Sequence, residues 1–215
     1  MFYVRLKGGL GNQMFQYAFG QALKAKAGKE VVYDSAFIEH LLNQKNTEFT
    51  KRDVALDIFP HINTNEIQSL NKDRTLKYYS KFAKIIRKIK EKLNPYFISQ
   101  KRYQYDDYSS KVKDGAYFDG DWQSYKYFDS IKNDILAKFV FKSSADYGVI
   151  DEAAKKFKAK VCDPNIQSVC IHVRRGDMAK DPRANAHHGT TNVEYYKQAI
   201  KTILEKNTEP SIPFI

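Results

Sequence analysis

The segment that most restricts the fold is the first one, MFYVRLKGGLGNQMFQYAFGQALKAKAGKEVVYD, residues 1–34. Phe2, Val4 and Leu6 alternate with more polar neighbours, the pattern of a strand with one face buried. The glycines of KGGLGNQ interrupt that pattern. Met14, Phe15, Ala18, Phe19, Ala22 and Leu23 then recur at helical spacing until Gly28, which predicts a helix stop. EVVYD follows as a second strand. Strand, helix and strand in so short a span is a βαβ unit, and its crossover requires the two strands to be parallel. An α/β fold is therefore expected.

A second constraint lies in SVCIHVRRGDM, residues 168–178. Small and β-branched residues give way to a histidine, two adjacent arginines, a glycine and an aspartate. This predicts a buried strand containing Ile171, with His172 to Asp177 at its carboxyl end, the edge where open α/β sheets bind ligands. After the loop AKDPRANAHHGT, Thr191 and Glu194 have the spacing of a capping box, and Tyr196, Ala199, Ile200, Ile203 and Leu204 continue a helical stripe. Between these two regions, DGAYFDGDWQSYKYFDSIKNDI predicts a short strand or loop leading into a helix, and Asp151 to Ala159 predicts another helix. A polar shift after Lys142 sets a domain boundary at residues 143–150, dividing the chain into 1–145 and 146–215.

KYYSKFAKIIRKIKEKL, residues 77–93, places Phe82, Ile85, Ile86, Ile89 and Leu93 on one face with lysines and an arginine around them. It reads as a basic surface helix, or else as a peripheral contact with an anionic membrane or a patch for an acidic partner. The formal charge of +11 favours an anionic partner. Nucleic acid is disfavoured, because the basic residues are spread over helices instead of alternating with aromatics along one strand face.

The chain has only two cysteines, Cys162 and Cys170, with the second inside the apolar run, so no disulfide framework or metal knuckle is expected. His187 and His188 are adjacent and cannot easily aim at one ion, and no metal site is expected. No nucleophile elbow is present. The N-terminal segment lacks the long apolar stretch of a signal peptide or anchor, so a cytoplasmic location is expected, with the membrane contact at most peripheral.

A guanidinium fork matches phosphate oxygens bidentately and keeps its charge. Arg174 or Arg175 is thus a candidate clamp for a pyrophosphate, the other reading being an Arg175–Asp177 ion pair that pins the turn. GGLGNQ could bring backbone N–H groups close to an anion or polar ligand. It lacks the third glycine of a dinucleotide fingerprint and the Lys-Ser/Thr of a P-loop, and a tight turn for packing explains it equally. Asn12 is then a candidate helix cap and Gln13 a candidate surface residue.

Four stretches taken together resemble one family. GGLGNQMFQYAFG at 8–20, DGDWQSYKYF at 119–128, HVRRGDM at 172–178 and HHGTTNVEYYKQAI at 187–200 are similar to the bacterial α-1,2-fucosyltransferases, glycosyltransferase family 11. The resemblance implies a GT-B-like fold, two Rossmann-like domains facing a cleft, the first on the acceptor side and the second binding GDP-fucose. It implies an inverting, metal-independent galactoside α-1,2-fucosyltransferase, using GDP-fucose as donor substrate and no cofactor, and a galactose-containing acceptor glycan of a cell-surface polysaccharide. By the same resemblance Arg174 is the catalytic residue on the donor diphosphate, and His172, Arg175 and Asp177 line the nucleotide site. Gly9, Gly11, Asn12 and Gln13 face the cleft from the acceptor side. The family's donor domain continues beyond a stretch like IPFI, so that domain is expected to be truncated here. A non-catalytic nucleotide- or glycan-binding remnant is the alternative expectation.

Overall fold

A computed structural model describes residues 1–44, 51–70, 94–100, 105–108, 112–141, 152–166, 168–173, 186, 189 and 191–206. The chain divides into two compact units, Met1–Ser143 and Ser144–Ile215. The predicted basic helix at 77–93, and Arg174, Arg175, Asp177, His187 and His188, lie outside the described residues.

The first unit is built on the expected crossover. Strand β1 (Phe2–Arg5) leads through helix α1 (Leu10–Ala27) to β2 (Val31–Asp34) and α2 (Ala36–Asn43). The short strands β3 (Ile67–Gln68), β4 (Phe97–Ser99) and β5 (Tyr117–Asp119) and helix α3 (Lys132–Lys138) follow. The sheet order is β3-β2-β1-β5-β4, and all four pairings are parallel. Every residue of β2 is buried, as suits a strand inside a parallel sheet covered on both faces. Unit one is thus an α/β domain with a parallel five-stranded sheet.

Helix α1 lays Tyr17, Ala18, Phe19, Ala22 and Leu23 on the sheet. It stops where expected: Gly28 is left-handed at φ 61°, and its N–H bonds to the Lys24 carbonyl. Its start differs from expectation. Gly9 is the cap, its carbonyl accepting from Gln13 N at 3.1 Å, so the helix opens two residues before Asn12, which sits inside the first turn. Gln13, read above as a surface residue, is fully buried.

The core continues into the region after β5. Phe19 stacks on Trp122 with centroids 4.0 Å apart and planes 3° from parallel, and Phe118 and Tyr127 pack edge-on against that pair. Each such ring contributes about 1.5–3 kcal/mol on leaving water. The expected strand and helix in this region are both present, as β5 and α3.

The second unit contains α4 (Glu152–Val161) and α5 (Val193–Lys206) among its described residues. Two expectations fail here. Residues 168–173 form no strand: Ile171 and Val173 are 46% and 47% exposed, and Cys170 is exposed as well. A strand exists only through shared backbone hydrogen bonds, and no described segment of this unit supplies a partner ladder. The cap of α5 is Asn192, whose Oδ1 accepts from Tyr195 N at 2.9 Å. Thr191 instead bonds the Tyr196 hydroxyl, so the Thr191–Glu194 capping box does not form.

Candidate functional site

In the first unit β2 and β3 lie to one side of β1, and β5 and β4 to the other. The gap between the carboxyl ends of β1 and β5 is therefore the topological switch point, where open α/β sheets leave a crevice for ligands. Polar residues close all three central strands: Arg5 ends β1, Asp34 ends β2 and Asp119 ends β5.

These three are joined in a buried network. Arg5 Nη1 lies 2.6 Å from Asp119 Oδ2, with Arg5 2% and Asp119 6% exposed. Arg5 Nε donates to the Tyr117 hydroxyl at 3.3 Å, which in turn donates to Asp34 Oδ2 at 2.6 Å. Asp34 Oδ1 accepts from the backbone N–H groups of Ala36 and Leu70 at 3.0 and 3.1 Å. The Tyr117 hydroxyl is held well above the usual phenol range, chiefly by burial, with the Arg5 guanidinium pulling down and the Asp34 carboxylate adding to the rise. It stays protonated and serves as a donor. Buried polar networks of this kind hold a site in shape.

The GGLGNQ loop lies on the same edge and is locked from beneath. Gln16 accepts from Lys7 N at 3.0 Å and donates to Lys7 O at 3.2 Å, as if it were one more strand residue. Gln13 Nε2 donates to the carbonyls of Gly8 and Asp53 at 3.0 and 2.8 Å, while its Oε1 accepts from Ala55 N at 3.0 Å. All three hydrogen bonds of this amide go to backbone, so Gln13 builds the loop from within. Gly9, Gly11 and Asn12 are on the outer side of the loop, partly or fully exposed.

The loop after β5 meets it. Gln123 Nε2 donates to Asn12 Oδ1 at 2.7 Å, joining GGLGNQ and DGDWQ across 111 residues of sequence. Gly120 is obligatory there, since a Cβ would lie 2.6 Å from the Trp122 ring and 2.7 Å from Gln100 Cβ. Trp122 itself has φ 54°, a conformation costing a bulky residue on the order of 1–3 kcal/mol. Gln100 Oε1 holds the turn by accepting from both Asp121 N at 2.9 Å and Trp122 N at 3.0 Å. On the rim Lys7 Nζ reaches Asp119 Oδ1 at 3.5 Å and Asp121 Oδ1 at 3.4 Å. Lys7 and Asp121 are 27% and 28% exposed, so the switch point offers one ammonium and one carboxylate to the outside.

Of the predicted donor-binding residues, His172 is described, in an exposed stretch of the second unit without regular secondary structure. Its carbonyl accepts from the Tyr196 hydroxyl at 3.4 Å, which ties the stretch to the first turn of α5. Among the described residues no group of three histidines, cysteines or carboxylates could hold a metal ion, and no helix is long and apolar enough to cross a membrane. Arg5, Lys7, Asp34, Gln100, Asp119 and Asp121 were not singled out from the sequence. Their signal was positional: a charged residue closing each of β1, β2 and β5.

Comparisons with known proteins agree with the motifs. The profile of glycosyl transferase family 11 matches residues 1–214. An Escherichia coli O-antigen biosynthesis glycosyltransferase, WbnK, is 27% identical over 227 residues, covering 98% of this chain and 70% of the relative. An alpha-1,2-colitosyltransferase, also from E. coli, is 29% identical over 216 residues, covering 94% of this chain and 63% of the relative. No solved structure matches significantly.

Proposed function

The chain belongs to glycosyl transferase family 11, and from that premise we propose that it transfers L-fucose from GDP-fucose to the 2-hydroxyl of a galactose-type acceptor glycan, with inversion and without a metal. Family membership makes it a glycosyltransferase, which takes a sugar from a nucleotide donor to a glycan. The names of its relatives favour an alpha-1,2 linkage and a polysaccharide acceptor: one is an alpha-1,2-colitosyltransferase and the other acts in O-antigen biosynthesis.

The observation that carries the reading is the charge of the β1/β5 edge. Three cations lie at this edge, Arg5, Lys7 and Arg52, the last with its Nε 3.8 Å from where a Cβ on Gly9 would sit, against three carboxylates, Asp34, Asp119 and Asp121, so the edge has no positive excess. A diphosphate gains nothing there, whereas a neutral polyhydroxyl ligand finds donors and acceptors together. The first unit therefore takes the acceptor side. The donor falls to the motif with adjacent guanidinium groups, His172 to Asp177 in the second unit.

The acceptor oxygen bonds to the anomeric carbon from the opposite face as the bond from that carbon to the diphosphate oxygen breaks, the electron pair leaving on GDP and the hydroxyl proton passing to water. Arg174 stabilises the departing diphosphate more strongly in the transition state than in the ground state, so it raises the rate as well as the affinity. Arg175, His172 and Asp177 complete the nucleotide site.

A thermal melt with GDP-fucose, nucleotide-activated colitose and UDP-glucose tests this. A ligand that binds only the native state at a hundredfold excess over its Kd adds about 2.7 kcal/mol. The midpoint should rise with the fucose or colitose donor and not with UDP-glucose. Arg174→Ala should abolish both the shift and transfer to lactose while leaving the unliganded melt unchanged. A variant that still transfers at the wild-type rate refutes the assignment.

A further inference from the structure

The turn after β5 keeps an unfavourable backbone where a glycine would adopt the same φ without cost. Trp122 is held in it by its stack on Phe19 and by Gln100, whose Oε1 takes the two consecutive N–H groups of Asp121 and Trp122. Strained residues that the surroundings over-determine cluster at ligand sites, because they aim a neighbour that must not wander. The neighbour here is Asp121.

Its main chain is tied down while its carboxylate stands at the rim, 28% exposed. Among the described residues the only partner of that carboxylate is Lys7 Nζ at 3.4 Å, long for a charge-assisted hydrogen bond. Behind it the other groups are engaged: Asp119 with Arg5 and Lys7, Asp34 with Tyr117 and two backbone N–H groups, and Gln16 with both polar groups of the Lys7 main chain. A carboxylate with lone pairs to spare accepts hydrogen bonds from hydroxyls, and an adjacent ammonium donates to hydroxyl and ring oxygens. That pair matches neighbouring hydroxyls on a sugar ring. A phosphate would meet the Asp121 and Asp119 charges instead.

We propose that Asp121 accepts hydrogen bonds from the acceptor sugar's hydroxyls at the β1/β5 switch point, and that Trp122 and Gln100 are the positioning residues that hold it there. The proposal deepens the glycosyltransferase reading and rests on the acceptor lying at this edge.

Saturation-transfer NMR with lactose on the full chain, without donor, tests it. Wild-type protein should transfer magnetisation to the galactose protons. Asp121→Ala should weaken lactose binding at least about tenfold, the expected loss for one hydrogen bond to a charged group. The rise in melting midpoint given by GDP-fucose should be unchanged. Asp121→Asn keeps the side-chain shape and covers the case in which the alanine variant loses its fold; it should weaken binding less. Gln100→Ala should weaken lactose binding although it touches no ligand, and Gln100→Glu, which restores oxygens for the two N–H groups, should recover it.

Equal lactose binding by wild type and both Asp121 variants overturns the proposal, as does a wild-type chain that transfers magnetisation to no galactoside. Failure of the donor reading looks different. GDP-fucose would then leave the melt unshifted while the lactose signal still depended on Asp121.

Discussion

Replacing Arg5 by methionine removes one half of a buried ion pair and leaves the other half in place. Asp119, 6% exposed, would lose its 2.6 Å partner while Lys7 stays at 3.5 Å, and Tyr117 would lose the Arg5 contact to its hydroxyl. Breaking a buried pair from one side costs about 3–5 kcal/mol, because an uncompensated charge remains in a poorly polarisable interior. Lys7 and its 27% exposure soften that loss, so the lower end, about 3 kcal/mol, applies. For a domain of this size that corresponds to a fall of roughly 6–12 °C in melting midpoint. Replacing both partners, Arg5→Met with Asp119→Leu, should recover at least half of the loss, since a well-packed apolar pair of similar volume is often neutral. Trp122, the single tryptophan, lies buried in the same unit, so its fluorescence in a urea titration reports this transition and not the second unit's. A single variant that costs under about 1 kcal/mol, or a double variant that costs the sum of both singles, refutes the view that the pair is a closed structural network.

Alkaline unfolding of the same unit should be steep. Tyr17, Tyr33 and Tyr117 are all held above the usual phenol range, in each case first by burial. A raised value in the folded state means their contribution is complete below about pH 10, where unfolded tyrosine starts to ionise, and is lost as pH rises beyond it. Each tyrosine that ionises only on unfolding lowers stability by about 1.4 kcal/mol per pH unit above that point. Denaturant midpoints measured with phenolate absorbance should therefore fall sharply above pH 10, and a flat profile would contradict the burial. Gly20→Ala should destabilise although alanine favours helix by about 1 kcal/mol. The new Cβ would sit 2.5 Å from the Tyr33 hydroxyl, and that buried ring is pinned by its 2.8 Å hydrogen bond to the Tyr17 carbonyl. Overpacking of about 1–3 kcal/mol should outweigh the helix gain, giving a lower melting midpoint.

The crossover at residues 1–34 was legible because both periods are strong and Gly28 marks the turn between them. β3 and β4, of two and three residues, are too short to carry a period. The strand expected around Ile171 shows the converse: apolar composition predicts burial, but pairing needs a neighbour that the run itself does not contain. At the site, GGLGNQ could be picked out as a loop, yet only the fold shows that Gln13 turns inward and Asn12 outward. Arg5 and Asp119 each look like a surface charge at the end of a strand. Their partnership spans 114 residues, and local sequence holds no record of it. Trp122 could not have been foreseen at positive φ, since the tendency of bulky residues argues against it. Thr191 and Asn192 are both good caps, and one residue of register decided between them.

The central claim is a division of labour: acceptor at the β1/β5 edge of the first unit, donor on the arginine motif of the second. Hydrogen exchange of the full chain, read peptide by peptide with GDP-fucose or lactose added separately, tests it most directly. GDP-fucose should slow exchange in the stretch from Ser168 to Met178 and leave residues 5–12 and 119–123 unaffected. Lactose should do the reverse. Protection of the β1/β5 loops by GDP-fucose alone, with none at the arginine motif, would contradict the account.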